Sequence, residues 1–285
     1  MPSNSGQNER RVAIVTGASS GIGWEASLAF ARSGYSVVVA ARRAERLEAL
    51  CAKCQALGVE ALPRTTDVSH EQQVRDLVAA AMDRFGQVDV MVNNAGYGLE
   101  ARVHETSTDQ MRRIFETNYF GVFYGCRAVA PIMIRQESGH IFNVSSVIGK
   151  RGAPFHGAYC ATKFALCGLT DAMRIELAEH NVRVTAVCPG LTATEFPDAV
   201  EGGYPHERTS FNRLRKRMAA DVIARRIVAT VGRRTPEVVF SVGGKALVLI
   251  SALWPRLADR MMTAYYNDLT REDPGAEQDR TGGPT

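Results

Sequence analysis

The chain has 285 residues, of which 45% are hydrophobic, 22% charged and 7% aromatic, the balance of an ordinary globular protein. That composition excludes a collagen, a disordered polymer and a bundle of membrane helices, and the length allows one or two domains with a sizeable core. The 34 basic and 30 acidic residues leave a net charge of +4, too small an excess to predict nucleic acid as a partner.

The amino end, residues 1–11, is polar and has no apolar stretch of the kind that marks a secretory signal, so a cytoplasmic location is expected. The longest strongly apolar run, Ala246 to Trp254, has nine residues, far short of the roughly 20 that a spanning helix needs. Of the six cysteines, only Cys51 and Cys54 form a Cys-x-x-Cys pair. With no second pair and no adjacent histidine, reduced structural thiols are expected and no metal site.

From Arg11 onward, short β-branched runs alternate with longer amphipathic segments, the pattern of a parallel sheet covered by helices on both faces. Strands are predicted at Val12–Thr16, Ser36–Ala40, Glu60–Thr65, Val88–Asn93, Gly139–Val144, Arg183–Cys188 and Glu237–Ser241. Helices are predicted at Gly21–Ser33, Arg43–Leu57, Glu71–Phe85, Thr108–Asn118, Tyr119–Gln136, Gly157–His180 and Ala219–Val231. Ser69 and Gln72 have the spacing of a capping box before the third helix. The fold class is therefore α/β, a Rossmann-like doubly wound sheet of about seven strands. Leu191 to Lys216, with Pro197, Gly202, Gly203 and Pro205, reads as a long irregular insertion after the sixth strand, where long loops usually carry function.

Directly after the first strand comes Thr16-Gly17-Ala18-Ser19-Ser20-Gly21-Ile22-Gly23, leading into a helix. Glycines permit a tight turn and close approach to a pyrophosphate, while the helix amino end attracts its negative charge. Gly17, Ser19, Ser20, Gly21, Ile22 and Gly23 are thus candidate dinucleotide ligands, although the Gly-x-x-x-Gly-x-Gly spacing departs from the common Gly-x-Gly-x-x-Gly. The second strand runs into Ala41-Arg42-Arg43 with no carboxylate before Glu45. An acid there would bind a ribose 2'-hydroxyl, whereas a guanidinium can hold a 2'-phosphate, so NADP(H) is expected over NAD(H), read by Arg42 or Arg43. A role in starting the second helix is the plainer alternative for both arginines.

Ser145-Ser146 closes the fifth predicted strand, and Tyr159-Cys160-Ala161-Thr162-Lys163 opens the helix after it. Residues four apart share a helix face, so Tyr159 and Lys163 can enter one cleft. A nearby ammonium is expected to stabilise the phenolate and lower the tyrosine pKa from its usual value near 10. Together with the glycine turn and Asn93-Asn94-Ala95-Gly96, these motifs resemble the short-chain dehydrogenase/reductase family, in its short single-domain branch, over Val12 to Val239.

The resemblance implies that Tyr159 exchanges a proton with the carbonyl or alcohol oxygen while the nicotinamide exchanges a hydride with its carbon. It implies that Lys163 also binds the nicotinamide ribose, and that Ser146, at the family's spacing from Tyr159, hydrogen-bonds the reacting oxygen. Asn118 matches a helix asparagine at which a water relays protons behind the lysine; a polar residue at a helix kink is the equal alternative. Asp67 and Val68 match an adenine-contacting pair. Asn94, Ala95 and Gly96 lie beneath the cofactor, with Asn93 chiefly structural. Pro189-Gly190-Leu191-Thr192-Ala193-Thr194 matches the segment that covers the nicotinamide, with Thr194 and the backbone near Leu191 meeting its carboxamide. By position, Tyr97, Val147, Phe155, Leu191 and Phe196 are substrate walls, and their apolar character leans toward a lipophilic carbonyl or alcohol.

The expected activity is NADP(H)-dependent interconversion of a carbonyl and its alcohol, with reduction as the cellular direction. A nucleotide-binding regulatory protein without turnover and a reductase of ketones carried on coenzyme A or an acyl carrier remain alternatives. Arg208, Arg213, Arg215, Lys216 and Arg217 could meet such an anionic carrier, although a solvated face is the simpler reading. A sugar-nucleotide epimerase or dehydratase is disfavoured by the glycine spacing. The resemblance further implies a homodimer or homotetramer formed through the helices that flank Asn118 and Tyr159.

Four parts are expected: a flexible amino end at 1–10, the nucleotide-binding domain at 11–244, a helical extension at 245–270 and a frayed tail at 271–285. The extension, Lys245–Pro255 followed by Arg256–Leu269, resembles those of family members acting on lipid-like substrates. Packing within the protein or between copies is preferred for it over a membrane surface or a cover for the cleft.

Overall fold

The computed structural model describes residues 10–193, 195, 200–202, 217–240 and 242–271. Strands β1 (Val12–Thr16), β2 (Ser36–Ala41), β3 (Ala61–Thr65), β4 (Val90–Asn93), β6 (Gly139–Val144), β7 (Val182–Cys188) and β11 (Glu237–Val239) form one parallel sheet in the order β11-β7-β6-β4-β1-β2-β3. The short strands β5 (Gly98–Glu100) and β9 (Val200–Gly202) pair with each other, as do β8 (Thr192–Ala193) and β10 (Met218–Ala219). Helices α1 (Gly21–Arg32), α2 (Ala44–Ala56), α3 (Glu71–Phe85), α4 (Thr108–Phe115), α5 (Gly121–Gln136), α6 (Gly157–Glu176) and α7 (Ala220–Thr230) alternate with the strands. Helices α8 (Val242–Leu253) and α9 (Pro255–Arg271) follow the last strand.

Because side chains alternate along a strand, each central strand feeds two cores. Ala13, Val15, Val37, Val39, Val90 and Val92 pack with α1, α2 and α7, while Val12, Ile14, Val38, Ala40, Met91 and Ile141 pack with α3, α5 and α6. Burial on both faces explains why β1 and β2 read as unbroken apolar runs in the sequence. The strand order reverses at β1, which lies between β2 and β4. At such a reversal the loops at the strand carboxyl ends diverge and leave a crevice.

Most of the strand and helix boundaries agree with the sequence pattern within one or two residues, but two local readings are corrected. The capping box at Ser69 and Gln72 does not form: His70 precedes α3, Ser69 donates to Asp67, and Gln72 pairs with Asp76 and Arg75. The Asx turn at Asp67 takes up the serine that would have capped the helix. A capping box forms instead before α4, between Ser107 and Gln110. The two helices expected at 108–118 and 119–136 are one continuous rod, with a π turn over Glu116–Phe120 joining α4 to α5.

Candidate active site

The glycine turn is built by steric necessity. Gly17 and Gly21 have φ of +64° and +54°, a region that side chains with a Cβ rarely adopt. A Cβ on Gly23 would lie 2.3 Å from the Gly17 carbonyl oxygen and 2.7 Å from Asn94 Nδ2. Thr16 fixes the turn to β4: its hydroxyl donates to the Val92 carbonyl and accepts from the amides of Asn94 and Ala95. Asn94 Nδ2 in turn donates to the carbonyls of Thr16 and Gly17. The N-cap of α1, Ser20, makes no side-chain capping bond, and the first turn of the helix holds no acidic residue. The amino end of α1 therefore presents its N–H groups and positive dipole toward the turn, a fit for a pyrophosphate.

The two arginines after β2 diverge. Arg43 donates from Nε and Nη2 to Ser19 Oγ at 3.2 and 2.9 Å, so its guanidinium stands over the glycine turn. Its Nη1 and Nη2 of Arg46 pair with the two carboxylate oxygens of Glu195 at 3.3 and 2.9 Å. Arg42 is exposed and lies on the Asp67 side. Burial acts to raise the Asp67 carboxyl pKa, but hydrogen bonds from Ser69 and the charge of Arg42 outweigh it and hold the group below its ordinary value. Val68 packs where a Cβ on Gly121 would lie 2.7 Å from it, so α5 can approach the Asp67–Val68 turn only through a glycine.

On the other side of β4, Ser146 follows β6, and α6 carries Tyr159 and Lys163 one turn apart. Ser146 Oγ accepts from the Ile148 amide, and the serine is near enough to Tyr159 to act on the phenol's pKa. Lys163 is buried, donates from Nζ to the Val144 carbonyl at 2.9 Å, and lies 5.5 Å from the centre of the Tyr159 ring. Ser145 faces away and donates to the Lys163 carbonyl, a structural role that leaves Ser146 as the hydroxyl beside the phenol. The expected lowering of the Tyr159 pKa is not seen. Burial pushes the phenol up against the opposing effect of Ser146, and burial likewise pushes the Lys163 ammonium down to about 8. Desolvation disfavours both ionised forms and is the largest cause of each shift.

Asn118 lies in the π turn and is fully buried. Its Oδ1 accepts from the Tyr97 amide at 2.9 Å and its Nδ2 donates to the Tyr97 carbonyl at 2.8 Å. The side chain thus fixes the chain leaving β4, close to Gly96, where a Cβ would meet Asn118 Oδ1 at 2.9 Å and Lys163 Nζ at 3.7 Å. A π turn places Asn118 where a regular helix would not, and such turns recur at functional sites. Asn93 bonds to Asn143 across β4 and β6 in the sheet interior.

Among the wall candidates, Tyr97 packs in one cluster with Tyr159, and Val147 donates its amide to the Pro189 carbonyl. Phe155 is buried at φ +63° and stacks on Tyr266 of α9. Leu191 is exposed and its carbonyl accepts from the Met218 amide, while Thr192 Oγ1 donates to the Gly190 carbonyl. Thr194, Phe196, Arg208, Arg213, Arg215 and Lys216 lie outside the described residues. Thr16, Arg46 and Glu195 also belong to the site, without being singled out by the sequence motifs. A polar residue ending an apolar strand was the signal for Thr16, and the i, i+3 spacing to Arg43 was that for Arg46; nothing local marks Glu195.

The profile of the short chain dehydrogenase family matches residues 11–203, and the chain belongs to that family of oxidoreductases. Dehydrogenase/reductase SDR family member 7B of Bos taurus is 33% identical over 266 residues, 89% of this chain and 80% of its own length. The 3-oxoacyl-[acyl-carrier-protein] reductase FabG of Thermotoga maritima is 36% identical over 67% of this chain and 77% of its own. Among solved structures, an alcohol dehydrogenase of Thermococcus sibiricus complexed with 5-hydroxy-NADP superimposes with a TM-score of 0.72 at 32% identity, covering 81% of this chain and 96% of that one. A short chain dehydrogenase/reductase of Burkholderia phymatum in complex with NAD gives 0.79 at 28% identity, covering 87% and 95%.

Proposed function

We propose that the protein is an NADP(H)-dependent reductase of an apolar ketone or aldehyde. The observation that carries this reading is the gathering of Ser146, Tyr159 and the buried Lys163, whose Nζ lies 5.5 Å from the Tyr159 ring, on the far side of β4 from the uncapped end of α1. When bound, the nicotinamide cofactor supplies the hydride that adds to the carbonyl carbon. Ser146 donates a hydrogen bond to the substrate oxygen, and Tyr159 gives it the proton that completes the alcohol. A phenol kept protonated by burial suits that direction, because an alkoxide is far more basic than a phenolate and takes the proton downhill. Lys163, held by Val144, places positive charge behind Tyr159 as the phenolate forms. Arg43, with Arg46 beside it, binds the 2'-phosphate, and Tyr97 and Phe155 line the apolar side of the cleft. Pairing into a homodimer through the α4–α5 rod and α6 fits the apolar Phe120 of the π turn and Phe164 of α6, which are left at the surface.

The test is to titrate the purified protein with NADPH and NADH and then follow cofactor oxidation against ketones and aldehydes of graded size and apolarity. Tighter NADPH binding, turnover of apolar carbonyls, and a Tyr159→Phe variant that binds NADPH normally but loses at least ~100-fold in kcat are expected. Turnover that persists in Tyr159→Phe refutes the assignment of the proton donor.

A further inference from the structure

Away from the cleft, the described surface holds one concentration of large apolar side chains. Of the twelve large hydrophobic residues that are exposed, Leu249, Leu253, Trp254, Leu257 and Met261 fall within the helical hairpin of α8 and α9. Leu249 and Leu253 are one turn apart on α8, Leu257 and Met261 one turn apart on α9, and Trp254 forms the corner between them. Leu253 and Trp254 each keep 57% of their surface in solvent. The opposite side of the hairpin is already docked: Ala258 is fully buried, Tyr266 stacks on Phe155 at 5.5 Å, and Asp259 pairs with Arg151. The apolar corner is therefore not the surface that attaches the hairpin to the domain.

Its charge pattern selects the partner. The hairpin holds two acidic residues, Asp259, which Arg151 occupies, and the half-buried Asp268 near its far end, whereas the basic Lys245, Arg256 and Arg260 nearer the corner are all exposed. A two-fold contact with a second copy would bring this basic rim close to its own image, which is unfavourable. An apolar tip with a cationic border and a corner tryptophan instead matches an anionic bilayer surface, where indole rings and basic side chains sit at the headgroups.

We propose that the α8–α9 hairpin docks the protein on anionic membranes, with Leu253, Trp254 and Leu257 entering the headgroup boundary and Lys245, Arg256 and Arg260 meeting lipid phosphates. No helix among the described residues is long and apolar enough to cross a membrane, so the contact is interfacial. One consequence rests on the reductase reading: through Tyr266 and Phe155, the hairpin would put the cleft beside a bilayer that dissolves apolar carbonyl compounds.

The test uses the full chain with vesicles of phosphatidylcholine alone and of phosphatidylcholine containing phosphatidylserine. Sedimentation with the anionic vesicles and a blue shift of tryptophan emission are expected, the shift being lost in Trp254→Phe because Trp24 is the only other indole. A Leu253→Glu/Trp254→Glu variant should lose vesicle binding and keep NADPH binding. In Arg256→Gln and Arg260→Gln, affinity for anionic vesicles should fall by roughly fivefold each, with weaker salt dependence. Absence of the wild-type chain from the vesicle pellet overturns the proposal, as does vesicle binding that survives the glutamate substitutions. A wild-type dimer that those substitutions split into monomers would assign the corner to a second copy and overturn it equally. Because vesicle binding is read without substrate, it can fail or succeed independently of catalysis.

Discussion

Replacing Arg43 by glutamine tests the proposal that its guanidinium tells the two nicotinamide cofactors apart. The guanidinium stands over the glycine turn through two bonds to Ser19 Oγ and shares Glu195 with Arg46. Arg43 and Glu195 are each 44% exposed, so their ion pair contributes less than about 1 kcal/mol and a phosphate can displace the carboxylate at little cost. Hydrogen bonds from a guanidinium to a phosphate contribute about 1.5–3 kcal/mol. After subtracting the ion pair, Arg43→Gln should weaken NADPH by about 0.5–3 kcal/mol, or roughly 2–150-fold in Kd. NADH, which carries only an uncharged hydroxyl at that place, should change by less than about threefold. Dissociation constants from cofactor fluorescence at fixed salt give both numbers. Arg42→Gln, on the Asp67 side, should have the smaller effect, and Glu195→Gln should tighten NADPH by up to about fivefold by removing a competing carboxylate. Equal losses for NADPH and NADH in Arg43→Gln would refute the reasoning, because they would show a general defect of the turn.

Gly23→Ala places a Cβ 2.3 Å from the Gly17 carbonyl and should destabilise the protein by about 1–3 kcal/mol while weakening both cofactors together; a normal melting temperature with unchanged affinities would contradict the packing described. Asn118→Ala strips hydrogen bonds from both backbone groups of Tyr97 and should lower unfolding stability by about 3 kcal/mol in urea, whereas a change below about 0.5 kcal/mol would argue that water replaces the amide. Lys163 has a folded pKa of about 8 against 10.5 for the free side chain. The unfolded chain therefore binds more protons between those values, and this lysine's destabilising contribution is full below pH 8 and shrinks as the pH rises. Relative to Lys163→Met, the wild-type protein should gain stability between pH 8 and 10, before the raised pKa of Tyr159 acts in the opposite sense; a parallel pH dependence of the two proteins would show that burial does not depress the lysine.

The parts legible in the sequence are those dictated by local periodicity and glycine chemistry. Unbroken apolar runs at Val12–Thr16 and Ser36–Ala41 exist because both faces of those strands are buried, and the positive φ of Gly17 and Gly21 admits few other residues. Helical spacing puts Tyr159 and Lys163 on one face, and their roles follow from the family resemblance that several linked motifs carry together. Long-range competition stayed hidden. Ser69 has the spacing of a cap, but the Asp67 carboxylate claims it, and only the fold brings Glu195 to Arg43 and Arg46. The direction of the Tyr159 shift was equally out of reach, since attraction to a neighbour can be read from spacing whereas desolvation depends on everything packed around the pair.

The π turn at Glu116–Phe120 carries one residue more than the same stretch of regular helix would need. Deleting one residue from it would restore an unbroken α-helix and leave α5 in nearly its present phase, because the wider turn sweeps about the same angle with five residues that an α-helix sweeps with four. Gly121, Gly125 and Cys126 would still meet Val68, Asn93 and Asn143, but Asn118 would lose the place from which it holds both backbone groups of Tyr97. The extra residue is therefore a local device that aims one amide while the wall of the sheet stays in register. A single-codon deletion there should cost the site more than it costs the fold.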